Sequence, residues 1–170
     1  MRNLRNPVRA ALGAALAVLT GTGLIAAGAG RTAEAEPAAK AATERLDLVT
    51  GNGIVTLDVE IADTPAKQAL GLMYRTELAE KHGMLFLHDP PRESTMWMRN
   101  TYIPLDMVFI RADGTVHRIA AMTEPHSEAI IASNGPVAAV LEIAGGSAAR
   151  LGLKPGDKVR HRHFGTSAAP

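Results

Sequence analysis

From residue 46 onward, apolar residues fall at alternate positions in short runs, and glycine, proline or aspartate breaks each run before it can lengthen. Leu46 and Leu48 form one run, and Ile54, Val55, Leu57, Val59 and Ile61 the next. A period of two puts apolar side chains on one face of an extended strand and polar ones on the other. Gly51-Asn52-Gly53 lies between these runs and supplies the positive φ that a tight hairpin needs. Further strand-like runs cover 84–87, 95–98, 105–110, 115–122, 137–143 and 158–164, with Asp113-Gly114 as a second hairpin turn. Pro90-Pro91 and Pro104 mark breaks, because proline cannot donate to a ladder. Helix signals are sparse. Thr64-Pro65 starts a helix over 66–70 that Gly71 closes, and Ser147 caps a second over 148–151 that Gly152 closes. Many short strands with two short helices predict a mainly β fold: a small antiparallel barrel, closed or nearly closed, with the helices over its ends.

The first 35 residues follow a different rule. Arg2, Arg5 and Arg9 precede an uncharged stretch, 10–30, rich in alanine, leucine and glycine, and Ala33-Glu34-Ala35 fits a small-x-small cleavage site. This is the pattern of a secretory signal peptide over 1–35, and it predicts a periplasmic or secreted protein. If the segment is kept, it is the chain's expected membrane contact. An Ala- and Pro-rich tether, 36–44, then leads to one domain over 45–164, and 165–170 reads as a loose tail. Without the signal, 14 basic residues face 16 acidic ones, so the formal charge of +1 on the whole chain becomes −2. With six aromatic residues, that balance argues against a nucleic-acid partner. The chain has no cysteine, which excludes disulfides, thiol nucleophiles and Cys-ligated clusters. It also lacks a P-loop, a G-x-G-x-x-G, a G-x-S-x-G and a zinc signature. No cofactor is expected.

Six blocks occur in order: Glu60-x-Ala62-x-Thr64, Gly71-Leu72-Met73-x-Arg75, Gly83-Met84-Leu85-Phe86, Trp97-Met98-x-Asn100-Thr101-x-x-Pro104-Leu105-Asp106, Val140-Leu141-Glu142 and Gly156-Asp157. Through these blocks the chain resembles the DUF192 family over roughly 46–162. The resemblance implies a compact β-barrel-like fold and an exported protein, and it implies no reaction. The chain departs from the family pattern at Met96, where an aromatic residue is usual.

The segment 97–106 carries the most chemistry. Trp97, Asn100, Thr101 and Asp106, joined by Glu60, make a candidate surface for a small or peptide-like ligand, an indole beside a polar patch. The same residues suit a structural corner, in which Asn100 and Asp106 bond to main chain. The leading expectation is therefore a non-enzymatic binding or accessory module, its ligand or protein partner unnamed. One alternative is a small hydrolase that pairs Asp106 with Glu60 or Glu142 as acid and base. Another is a periplasmic Cu(I)-binding protein using Met96 and Met98, with His88 or His117 as a third ligand. His161-Arg162-His163 reads as a solvated basic strand edge.

Overall fold

The computed structural model describes residues 42–167. Its elements in order are β1 (Thr43–Thr50), β2 (Gly53–Ala62), α1 (Pro65–Leu70), β3 (His82–Met96), β4 (Leu105–Ile110), β5 (Val116–Thr123), β6 (Ile131–Ala144), α2 (Ser147–Leu151) and β7 (Lys158–Arg160), followed by a 3-10 turn, Arg162–Phe164. The seven strands form one sheet in the order β5-β4-β6-β3-β2-β1-β7.

Both predicted hairpins are present. β1 and β2 pair from Thr50↔Gly53 outward, and Thr50 Oγ1 accepts the amide of Asn52 inside the turn. β4 and β5 pair around Asp113-Gly114, where Asp113 accepts both the amide and the hydroxyl of Thr115. Helix α1 begins as expected, with Thr64 Oγ1 accepting the amide of Lys67.

The barrel expectation needs two corrections. The sheet is mixed, because β2 and β3 run parallel, Asp58↔His82 through Ala62↔Phe86. Helix α1 and the turns after it carry the chain back along β2 before β3 starts, which is the crossover a parallel pair requires. The sheet is also an open half-barrel. Its edge strands touch at a single bridge, Thr115↔Lys158, flanked by Val116 N–H to the carbonyl of Asp157 and Val159 N–H to that of Gly114. No ladder extends from there.

The curl leaves β4, the first half of β3 and the second half of β6 covered on both sides. Every residue of β4 is buried, which is why 105–110 reads as an unbroken apolar run. Inside the curl lie Leu46, Leu57, Leu85, Val108, Leu141 and Ile143; on the other face lie Leu72, Met84, Phe86, Met107, Phe109 and Val140.

Other local expectations shift. β3 runs through Pro90-Pro91 as one strand, and the proline pair sits where its register with β6 slips, between Leu87↔Ala139 and Arg92↔Val137. No ladder bond is asked of it there. Ser147 is the first residue of α2, not its cap; Gly146 holds the cap position at φ 79. β1 starts at Thr43, within the span read as tether, and Thr166 Oγ1 accepts the amide of His161, so the chain past 164 begins fastened. The signal-peptide reading lies outside the described residues.

Candidate functional site

The site forms where β2 parts from β3. Past Ala62 the chain turns into α1, and one side chain marks the fork: Gln68 Nε2 donates to the carbonyls of both Ala62 (3.1 Å) and Leu87 (2.8 Å). Gly71 ends α1 at φ 50, with the Phe86 ring only 3.1 Å from where a Cβ would stand. Glycine there both permits the left-handed turn and lets the helix end sit on Phe86. A cavity of about 320 Å³ opens between this helix end, the outer half of β3 and the Trp97 loop.

Leu72, Phe86 and Glu142 are at its base. Glu142 belongs to β6, and its register partners on either side, Met84 and Met107, lie in the apolar cluster of that face. The residue is only 4% exposed, and its carboxyl group has no hydrogen-bond or ion-pair partner among the described residues. Burial alone pushes its pKa up to about 8, because nothing offsets the loss of hydration on the charged form. At neutral pH it is a protonated acid, with one O–H to donate and a carbonyl to accept.

One wall is a short polar chain. Arg92 Nη2 lies 3.1 Å from His88 Nδ1, and His88 Nε2 lies 3.0 Å from Ser94 Oγ. Arginine only donates, so Nδ1 accepts and the neutral ring carries its proton on Nε2. His88 therefore donates to Ser94, whose hydroxyl is directed to the Met96 sulfur at 3.8 Å. Burial, helped by the Arg92 charge, holds the imidazole below its ordinary pKa. A base that takes a proton from Ser94 needs the opposite tautomer, so this is not an activated serine.

The Trp97 loop closes one end. Asn100 holds φ 57, a left-handed conformation asparagine tolerates. Its carbonyl accepts the amide of Tyr74, and its Nδ2 donates to Tyr74 Oη at 3.0 Å. The carbonyl of Thr101 accepts the amide of His126. So pinned, the loop sets Thr101 and Trp97 at the cavity, with the Arg99 guanidinium 4.8 Å over the indole.

The DUF192 family model, described as Uncharacterized ACR, matches residues 47–161. The chain belongs to the DUF192 family. Two solved structures share its fold. One, from Sinorhizobium meliloti 1021 and described as a proposed transcription regulator, is 48% identical, with a TM-score of 0.70, over 72% of this chain and 96% of that one. The other, a protein of unknown function from Novosphingobium aromaticivorans, is 47% identical, with a TM-score of 0.70, over 74% and 89%. No curated protein matches the chain.

The residues singled out from the DUF192 blocks divide between the cavity and its supports. Trp97 and Thr101 line it, and Asn100 positions the loop behind them. Glu60 is held by Arg75 in a two-point ion pair at 2.6 and 2.7 Å. Asp106 is fully buried and accepts the amides of Met122, Gly146 and Ala148 at 2.8, 2.9 and 2.8 Å. It ties β4 to β5 and caps α2 from across the sheet. Asp106 pairs with Ile143 and shares its face, opposite to the face of Glu142. The structure thus does not bring Asp106 and Glu142 to one cavity.

The methionines likewise part. Met96 lines the cavity, whereas Met98 is fully buried and its sulfur accepts the Thr123 hydroxyl at 3.1 Å. His117 is elsewhere, beside Arg111. The described residues contain no group of three His, Asp or Glu able to hold a metal ion. The solvated edge read at 161–163 is corrected too. His161 is 2% exposed and bonds Glu44, and His163 bonds the carbonyl of Ala138. Arg92, Ser94 and Gln68 carried no motif that could have marked them.

Proposed function

We propose that the protein is a non-enzymatic binding module, exported to the periplasm or beyond, whose small or peptide-like ligand enters the cavity over Glu142. One observation carries this reading: a residue of 4% exposure whose carboxyl has no partner among the described residues, lining an opening of about 320 Å³. Buried polar groups are almost always satisfied, and an orphan facing a cavity is a place where a ligand restores the missing bonds. Export is supported by the basic, apolar and small-residue pattern of 1–35.

Hydrolysis is less well supported. Glu60 is neutralised by Arg75, Asp106 is spent on three amides, and His88 holds the tautomer that donates to Ser94. A DNA-reading role, as the description of the Sinorhizobium protein raises, is less well supported by charge: without 1–35 the chain carries 14 basic residues against 16 acidic ones, a poor match to a phosphate backbone.

The test is a thermal-shift screen against sugars, peptides, nucleotides, small amides and metal ions. A ligand at 100 times its Kd adds about 2.7 kcal/mol of apparent stability. The reading expects a stabilising compound whose effect disappears in Glu142→Leu. A compound that stabilises the variant equally binds elsewhere and overturns it.

A further inference from the structure

We infer that the occupant of the cavity is an extended peptide segment, which adds as a strand to the open edge of β3 over residues 92–96 and lays an uncharged carboxamide side chain over Glu142. This rests on the reading of the cavity as a binding site.

The open edge follows from the fork. β3 has fifteen residues, but β2 pairs only with its start, as far as Ala62↔Phe86. Gln68 then caps the carbonyl of Leu87. Beyond that point, among the described residues, β3 has β6 on one side and no strand on the other. No backbone hydrogen bond joins residues 92–96 to the 63–81 segment that faces them across the cavity, among the described residues. The register with β6 also slips between Glu93 and Thr95, where the Ser94 amide turns to Ser133 Oγ, so the edge open to a new strand is two short stretches, 92–93 and 95–96, on either side of an irregularity. Arg92, Glu93 and Thr95 are exposed, so no described residue covers them. The sheet's outermost strands, β5 and β7, at least touch each other. The outer half of β3 is an edge inside the sheet, left unpaired beside a cavity. That is the arrangement by which strand addition recognises a peptide: main-chain bonds hold it, and a pocket reads alternate side chains.

The cavity defines what that side chain carries. Its volume, about 320 Å³, holds one or two side chains. Leu72 and Phe86 favour an aliphatic stem. Arg92 and Glu93 both line the cavity and balance each other in charge, so its mouth favours neither a cation nor an anion over an uncharged group. Glu142 is kept protonated by burial, so its O–H and C=O stand side by side and match the C=O and N–H of a carboxamide. Glutamine or asparagine satisfies both.

The test uses pools of N-acetylated, C-amidated pentapeptides, each with one residue type fixed at one position. Trp97 is the chain's sole tryptophan and lines the cavity, so its emission reports binding there. Pools fixed as Gln or Asn are expected to change that emission most. The peptide resolved from them should lose at least tenfold in affinity when its main-chain nitrogens are methylated at alternate positions, and should slow amide exchange within 92–96. Glu142→Gln, which keeps a donor and an acceptor, should bind within a few-fold of the parent, and Glu142→Leu should not bind. Preference for Lys or Arg pools, or affinity indifferent to N-methylation, overturns the inference. If such a ligand is still lost in Glu142→Leu, the binding-site reading stands without strand addition. If no peptide and no small compound of the screen perturbs Trp97, both readings fall.

Discussion

Glu60 and Glu142 stand in one row across the sheet, on the same face, with Met84 of the intervening strand as their common neighbour. Two strand spacings separate them, roughly 10 Å. Arg75 answers Glu60 with a two-point ion pair, and no described residue answers Glu142. Two like residues on one face thus have opposite fates, decided by whether the 71–81 segment delivers a counter-charge.

Stability should report this isolation. The pKa of Glu142 in the fold, about 8, is above its ordinary 4.5, so the folded state keeps a proton that the unfolded state releases. The stability this contributes is complete below about pH 4.5 and is lost as pH rises through about 8. At 1.36 kcal/mol per unit the loss is on the order of 5 kcal/mol. His88 and His161, both held below their ordinary value chiefly by burial, act the other way and weaken the fold as pH falls below 6.5. Denaturant titrations of the parent and Glu142→Gln isolate the first effect. The difference between them should move in favour of Glu142→Gln as pH rises from 5 to 9.

Asp106 and Glu60 should separate sharply on substitution. Asp106→Ala strands three amides that a carboxylate now accepts, one of them fully buried and two partly, and should cost about 3 kcal/mol. Glu60→Ala removes a partly exposed pair and should cost about 1 kcal/mol or less. Urea midpoints check the order; equal effects would contradict the assignment of Asp106 to the framework.

Much of this architecture was legible in the chain. Gly51-Asn52-Gly53, Asp113-Gly114 and Thr64-Pro65 encode their turns and cap locally, and the structure has each where it was read. The parallel run of β2 and β3 was not legible, since nothing within either strand specifies the direction of its neighbour. Asp106 and Glu142 look alike as carboxylates in apolar runs. Only the cross-strand register, Asp106↔Ile143 and Met107↔Glu142, puts them on opposite faces. His161 read as edge because its burial depends on Glu44, 117 residues away. The DUF192 blocks include both the Trp97 corner and Glu142 but carry no sign that Glu142 is the unpartnered member.

The fork at Gln68 predicts an asymmetric pair of variants. Gln68→Ala loses two bonds to main-chain carbonyls, at about 1 kcal/mol each. Gln68→Glu keeps the size but sets a carboxylate against the carbonyls of Ala62 and Leu87, and should be the more destabilising at pH 7. Amide exchange at the outer ends of β2 and β3 should quicken more in Gln68→Glu. The reverse order would contradict the capping role.

Arg92 fixes the tautomer of His88 and adds to the depression of its pKa, behind burial. In Arg92→Leu the imidazole should titrate at a higher pH than in the parent, read from its ring carbon resonances. Nitrogen spectra of the parent should show the proton on Nε2. A proton on Nδ1 would return Ser94 to consideration as a nucleophile.

The most direct measurement is an NMR titration of the Glu142 side-chain carboxyl carbon in the ligand-free protein. A midpoint near 8 is the expected result, the mark of a buried, unpartnered acid at the cavity. A midpoint near 4.5 would mean that the group is hydrated or already paired, and the cavity would then offer a ligand no unmet bond.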